Sequence, residues 1–330
     1  MTSLLGIFVF VLVMLGPIAV GLFIAVPIAG AIVRLRANYT PKGLKLDQDG
    51  DTSGSFHVTP NARVGPSING IIHMVRRIYL LEGWHGFYKG FMPALISTIL
   101  LTLWAIVTIP GHPQYIPRCA MHIPPTHILR GLLYGFGTLA WYNRAVCTPH
   151  RLPWFKPMKT LRIILTPCEL RKPWMLYLTP GLLTARMLIV IWVVTVARVV
   201  RARLLPSVSE GLSSAHDPLD QYIMTRLMKP TRLAIFLLFS MASTGILCPL
   251  EALATRLSVQ RNKSGTDDGA VEPAVEYIGE EEDVIALKSE EDPYTGLIDC
   301  ARRMVREEGA GSLFRAWWLT MIGVTLSAFS

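Results

Sequence analysis

Residues 248–261 read CPLEALATRLSVQR and end a long apolar run with a proline, an acid two residues later and a basic tail. Farther downstream, residues 308–316 read EGAGSLFRA, which is an acid, a glycine, four residues, an aromatic residue, a base and a small residue. The same second element occurs early in the chain as EGWHGFYKG at residues 82–90. This recurrence predicts that the chain is built from internal repeats.

The composition favours a membrane protein, since 51% of the 330 residues are hydrophobic and only 17% are charged. Four apolar runs approach or exceed the ~20 residues that cross a bilayer core as a helix, and two shorter runs are weaker candidates. The long runs are 3–33, 91–109, 179–200 and 233–253, and the weaker ones are 128–146 and 317–329. We therefore expect an all-α membrane protein with about six transmembrane helices.

The apolar runs at the two ends of the chain differ in length. The first run is too long for a signal peptide and no base precedes it, so we expect it to be the first transmembrane helix. The last run barely crosses a ~30 Å core. A truncated C-terminus is therefore an alternative explanation of its length.

The net charge of +9 is the sum of an acidic segment and a strongly basic remainder of the chain. Residues 267–292 hold eleven acids and one base, which gives −10, so the remainder of the chain carries +9 + 10 = +19. A basic membrane protein suits anionic solutes and anionic lipid, with cardiolipin as one candidate, although bases that only anchor helix ends explain the same charge. The bases flank apolar runs and do not cluster with aromatic residues, so we expect no nucleic-acid partner.

No motif of an enzyme or of a metal site is present. The five cysteines are scattered without a CxxC pair, and no His or Cys cluster has metal-ligand spacing. A nucleophile elbow, a Walker loop and a zincin motif are also missing. We therefore expect no catalytic residues, no metal and no cofactor.

The repeat unit is a spanning helix that ends near a proline, a polar loop, an amphipathic surface helix, an acid-glycine element and a returning span. Residues 1–110 and 206–330 fit this plan, the latter with an acidic loop at 263–293 that we expect to be disordered and solvated. Residues 111–205 form a degenerate middle unit. There, Pro149 is the candidate proline, Arg171 and Lys172 occupy the acid-glycine position, and Tyr177 occupies the aromatic position.

This order of features resembles the mitochondrial carrier family. The resemblance implies six tilted helices in three pseudo-threefold repeats around a central cavity, with short surface helices on the matrix side. It also implies alternating access gated by ion pairs between repeats. The gate residues that match are Pro27, Arg34, Pro249, Glu251 and Arg256, and the repeat-closing residues are Glu82, Gly83, Tyr88, Lys89, Gly90, Tyr177, Glu308, Gly309, Phe314 and Arg315.

The gate positions depart from the family pattern. The first repeat has Ala29 where the acid is expected and Ile32 at the first basic position, and the third repeat has Ala254 at its first basic position. Glu251 is the one acid at such a position, so a network of three pairs cannot form there. A carrier-fold scaffold or a membrane fusion or assembly factor without transport, in the outer membrane, is therefore the alternative to a transporter of the inner membrane.

The resemblance places the central substrate contacts about seven residues beyond the last residue of each closing element. These positions are Ser97, Thr98, Arg186, Met187, Gly323 and Val324. Arg186 is the charged one, roughly 10 Å into its span, where a cation is costly unless it faces water, an acid or a ligand. Contact with an anionic group of the solute and structural pairing with a carbonyl or Glu251 are equally open. The leading hypothesis is transport of a small anionic metabolite.

Overall fold

A computed structural model describes residues 2–41, 68, 70–108, 141–149, 152, 157–172, 179–197, 199–200, 230–261, 284–288 and 292–326. Every regular element in these ranges is helical. The α-helices are α1 (Thr2–Ala37), α2 (Ile71–Phe87), α3 (Phe91–Thr108), α4 (141–147), α5 (Pro157–Ile164), α6 (Pro167–Arg171), α7 (Leu182–Ile191), α8 (Pro230–Val259), α9 (Leu297–Glu307) and α10 (Trp317–Leu326). A π-helical segment, Trp192–Ala197, continues α7, and a 3₁₀ turn, Ala310–Phe314, precedes α10.

Two of the described helices are long and apolar enough to cross a membrane. They are Ala19–Ala37 within α1 and Ala234–Val259 within α8, whereas α7 is a shorter apolar helix. Pro249 lies inside α8, which continues past it. The sequence prediction for 128–146 falls largely outside the described residues, which include only its end in α4.

Two amphipathic helices, α2 and α9, precede the two well-kept closing elements. In α2 the side chains of Met74 and Ile78 are buried, and in α9 those of Cys300 and Met304. Gly83 interrupts α2 and Gly309 follows α9, and both glycines have a positive φ, of 62° and 94°. L-residues rarely adopt this conformation, so the glycine after each acid is needed for the turn that follows.

The apolar core has two clusters. The first joins α7, α8, α9 and α10 through side chains such as Leu182, Leu257 and Met304. The second joins α1, α2 and α4 through Leu35, Met74 and Cys147, among others, and includes Val284 and Ile285. The clusters therefore bring together helices that are far apart in sequence.

Part of the acidic loop is packed into this core. Val284, Ile285 and Ala286 are buried, so the prediction of a solvated loop is wrong for this segment. The physical reason is that three consecutive apolar residues interrupt the acidic sequence, and two of them, Val284 and Ile285, enter the second cluster. The other residues of the loop between 263 and 283 lie outside the described residues.

Candidate functional site

Three buried arginine–carboxylate pairs lie where the ends of α1, α4 and α8 meet the elements that follow them. In every pair the side chains are at most 7% exposed, so each charge relies on its partner. The pairs are Arg34 with Glu82 at 2.6 Å, Arg144 with Glu169 at 2.7 Å, and Arg256 with Glu308.

The same three arginines connect the ends of α1, α4 and α8 in a ring. Each Nε donates to a backbone carbonyl two residues after the next arginine in the ring. The bonds run from Arg34 to Val146 (2.9 Å), from Arg144 to Ser258 (2.9 Å) and from Arg256 to Arg36 (3.0 Å). We call the three arginines and their acceptors the arginine ring, and it joins α1, α4 and α8 at one end of the molecule.

The basic residues of the closing elements reinforce this ring. Lys89 Nζ donates to Glu82 (2.8 Å) and to the carbonyl of Thr148 (2.6 Å), and burial lowers the pKa of Lys89 although Glu82 opposes that shift. Arg315 likewise donates to Glu308 and to the carbonyl of Asn38. Both carbonyls lie four residues after a ring arginine, so the two closing elements make equivalent contacts with the next repeat.

The structure explains why glycine suits the last position of the first closing element and what alanine costs at the same position of the last one. A Cβ added at Gly90 would lie 2.5 Å from the ring of Tyr142 and 2.7 Å from the side chain of Val146, so glycine permits α4 to approach. Ala316, the equivalent of Gly90 in the third repeat, has φ 61°. Because an alanine is strained there, this position departs from the glycine of the motif at some cost.

The predicted middle repeat, residues 111–205, contains an ion pair that the sequence analysis did not identify. The acid is Glu169, two residues before the position assigned through Arg171, and both Arg171 and Lys172 are exposed. Its partner Arg144 precedes it by 25 residues, against 48 and 52 in the outer repeats. Counting from Arg144 rather than from Pro149 identifies the pair. The motif proline precedes its arginine by seven residues elsewhere in the chain, and at this distance before Arg144 the sequence has Gly137.

Local sequence fixes the position of Glu169. Thr166 and Glu169 form a capping box at the start of α6, in which Thr166 N donates to Glu169 Oε2 (3.1 Å) and Glu169 N donates to Thr166 Oγ1 (3.4 Å). Pro167 occupies the first helical position, where its missing N–H costs nothing. The capping box is the signal in the sequence that marks this acid. Tyr177 lies outside the described residues.

A second polar cluster lies beside the ring and joins α1, α8 and α10. Arg36 and Glu251 form an ion pair at 2.8 Å, and Thr320 Oγ1 accepts from Arg36 (2.8 Å) and donates to Glu251 (2.9 Å). The lone gate acid therefore has a partner from the first repeat. This partner lies one helical turn beyond Ile32, the position at which the motif has its base.

Arg186 differs from the ring arginines, because its Nε atom is buried and has no hydrogen-bond partner among the residues that the structure describes. It lies within electrostatic reach of Glu251 and Arg36, but within the described part of the chain it forms no ion pair. The structural pairing with Glu251 is therefore not observed, since the Glu251 carboxylate is engaged by Arg36 and Thr320.

The other candidate contacts lie on three separate helices. Ser97 is buried in α3, and Thr98 Oγ1 donates to the carbonyl of Ala94 (2.8 Å). Met187 is exposed, and Val324 packs in the first apolar cluster. Gly323 has open space around it, so a side chain there would meet nothing.

No group of three His, Cys, Asp or Glu side chains that could hold a metal occurs among the described residues.

Comparison with known proteins locates the family pattern in two segments. The family model described as mitochondrial carrier protein matches residues 47–109 and 231–330. These segments contain both closing elements and the Pro249–Glu251–Arg256 motif. A comparison with curated proteins gives no match.

Proposed function

The chain belongs to the mitochondrial carrier family, and we propose that it moves a small anionic metabolite across the mitochondrial inner membrane by alternating access. Family membership indicates a solute carrier of a mitochondrial membrane and not an enzyme. The three repeats of this carrier would be residues 1–110, 111–205 and 206–330.

The observation that carries the proposal is the buried Nε of Arg186, for which the described part of the chain supplies no hydrogen-bond partner. An arginine N–H in a spanning segment is costly to leave unsatisfied, because no bulk water replaces the missing hydrogen bond. Glu251 is already held by Arg36 and Thr320. A carboxylate or phosphate group of a solute would satisfy Arg186, and the planar guanidinium suits such groups.

Further donors support an acceptor-rich solute. Within the described ranges, Trp192 Nε1, Ser240 Oγ and Ser243 Oγ are also buried without a hydrogen-bond partner. Trp192 packs against the apolar cluster shared by α7 and α8, and the two serines lie on α8. Trp192 also begins the π-helical segment, a rare geometry that is frequent at functional sites. Indole and guanidinium N–H groups only donate, so their natural ligand is rich in acceptor oxygens.

The arginine ring and the Arg36–Glu251 pair provide the gate of the proposed cycle. Both join different repeats at the same end of the bundle, so that end opens only if these contacts separate. Solute contacts would offset the lost bonds, since a ligand shifts an equilibrium only by its differential affinity for the two states. One gate pair instead of three would make opening less costly in this chain.

Anionic lipid is the second proposed partner. The outer face of α2 exposes Ile72, Leu80 and Trp84 together with Arg76. Apolar side chains beside a base suit the surface of a membrane that contains anionic lipid such as cardiolipin. Reconstitution should therefore include this lipid.

The second candidate function is that of a carrier-fold scaffold in the outer membrane. The observation that favours it is the loss of gate acids, since Ala29 replaces the acid of the first repeat. A scaffold would not carry solutes after reconstitution, whereas it would co-purify with a protein partner in stoichiometric amounts.

Flux measurements in proteoliposomes test the proposal. Vesicles that contain the protein and cardiolipin are loaded with unlabelled carboxylates or phosphate, and uptake of the labelled solute is followed. We expect saturable uptake of at least one anion, at least tenfold slower in Arg186→Gln. Arg171→Gln is the matched control, because Arg171 is exposed, and it should retain the wild-type rate. Wild-type rates in Arg186→Gln would contradict the proposal.

A further inference from the structure

Residues 284–288 cross from the third repeat onto the first. Val284, Ile285 and Ala286 are buried, whereas Leu287 is 40% exposed. Val284 and Ile285 enter the apolar cluster formed by α1 and α2. We call residues 284–288 the strap.

Polar contacts hold the strap on the first repeat. Tyr39 N donates to the carbonyl of Ala286 (2.8 Å), and Ala286 N donates to Asn38 Oδ1 (3.1 Å). Arg77 Nε of α2 donates to the carbonyl of Val284 (3.1 Å). The strap is therefore bound to the end of α1 and to the surface helix.

Asn38 contacts both the strap and two arginines of the third repeat. Its side chain accepts from Ala286, while its carbonyl accepts from Arg256 Nη2 (2.8 Å) and from Arg315 Nη1. Arg256 and Arg315 belong to the third repeat. One residue of the first repeat thus links the strap to the contacts that close this end of the bundle.

The far end of the strap is fastened to the third repeat. Lys288 Nζ lies 3.5 Å from Glu307 and 3.3 Å from Asp292, and it stands over the Tyr294 ring. Tyr39 also reaches across the boundary, because its hydroxyl donates to Glu307 (2.9 Å). The strap therefore spans the boundary between the first and third repeats.

We infer that the strap is a latch that favours the closed arginine ring by holding the first repeat against the third. The inference rests on the proposed alternating access, in which this end opens and closes. When the first repeat moves away from Arg256 and Arg315, the strap cannot keep both its bonds to Asn38 and Tyr39 in the first repeat and the bonds of Lys288 in the third repeat. Strap docking and ring closure therefore stabilise each other.

Native cysteines report the opening of this end without any flux. Cys248 is buried beside the Arg36–Glu251 pair, and its thiol donates to the carbonyls of Leu313 and Arg315. Cys300 is buried in the core of α9 and serves as the internal control for folding. Maleimide modification of each cysteine is followed by mass spectrometry of its peptide.

The first experiment releases the strap with Ile285→Asp, which places a charge in the apolar cluster. The matched control is Leu287→Asp, since this neighbouring side chain is exposed. We expect Cys248 to react at least tenfold faster in Ile285→Asp, with Leu287→Asp unchanged and Cys300 protected in both. An unchanged Cys248 rate in Ile285→Asp, with Cys300 protected, would overturn the latch.

The second experiment fixes the strap and therefore does not depend on a disruptive variant. Tyr39→Cys combined with Ala286→Cys joins two residues whose backbones are hydrogen-bonded. We expect maleimide to modify Cys248 at least tenfold more slowly in the oxidised protein than in the reduced protein. Equal rates before and after reduction would contradict the latch. A chain that carries no solute but shows these changes would refute transport and retain the latch.

Discussion

Glu169→Gln tests the ion pair of the middle repeat. The substitution keeps the size of the side chain and an oxygen that can accept from Thr166, but it leaves Arg144 without its carboxylate. Glu169 is fully buried and Arg144 is 3% exposed. Removing one partner of such a pair costs about 3–5 kcal/mol, because the remaining charge stays desolvated. Arg144 retains its bonds to the carbonyls of Ser258 and Gln260, so we expect a loss of about 3 kcal/mol.

Thermal unfolding in detergent, followed by tryptophan fluorescence, measures this loss. At about 2–4 °C per kcal/mol, the melting temperature should fall by about 6–12 °C. Glu307→Gln is the control, because its carboxylate is partly exposed, its pair with Lys288 is 3.5 Å long and an amide oxygen can still accept the hydrogen bond from Tyr39, so it should cost less than ~1 kcal/mol. A shift for Glu169→Gln no larger than that of Glu307→Gln would refute the assignment of a structural pair.

Three further predictions concern backbone and burial. Gly181→Ala should lower stability by about 2–4 kcal/mol in the same assay, because φ is 81° and the new Cβ would lie 2.3 Å from the backbone N of Leu297; wild-type stability would show that α7 does not approach α9. Ala316→Gly should raise stability by up to about 1 kcal/mol by relieving its left-handed conformation, and a loss would show that the buried methyl group matters more. Burial raises the pKa of Cys300 from 9.0 to about 12, although Arg256 opposes the shift. The thiol of the unfolded chain therefore ionises first, and the free energy of unfolding should fall above pH 9, by about 1.4 kcal/mol at pH 10. Cys300→Ala should remove this part of the pH dependence, and identical pH profiles of the variant and the wild type would contradict the prediction.

The parts of the fold that sequence predicted are those encoded in contiguous motifs. The acid, the glycine and the base of each outer closing element lie within nine residues, and the turn at Gly83 or Gly309 requires a residue that tolerates positive φ. The family resemblance that rests on these motifs is confirmed by the match over residues 47–109 and 231–330. The number of transmembrane helices stays a prediction.

The contacts that sequence did not predict depend on distance in space. Arg36 takes the place of the base that is missing at Ile32, although it lies one helical turn farther along α1. The spacing of residues in the sequence motif does not show this substitution. The middle pair was missed because its loop is shorter and its proline position holds glycine. The strap was not identified from the sequence, because many acids surround it. Its apolar residues Val284 and Ile285 nevertheless pack in a core.

The most direct test of the central claim is whether an anion binds at Arg186. Purified wild-type protein is heated in detergent with a panel of carboxylates, phosphate and neutral or cationic analogues. A ligand that binds the folded state stabilises it by about 2.7 kcal/mol at 100 times its Kd. We predict that at least one anion raises the melting temperature of the wild type and of Arg171→Gln but not of Arg186→Gln. The same stabilisation in Arg186→Gln, or stabilisation by neutral or cationic solutes alone, would contradict the account.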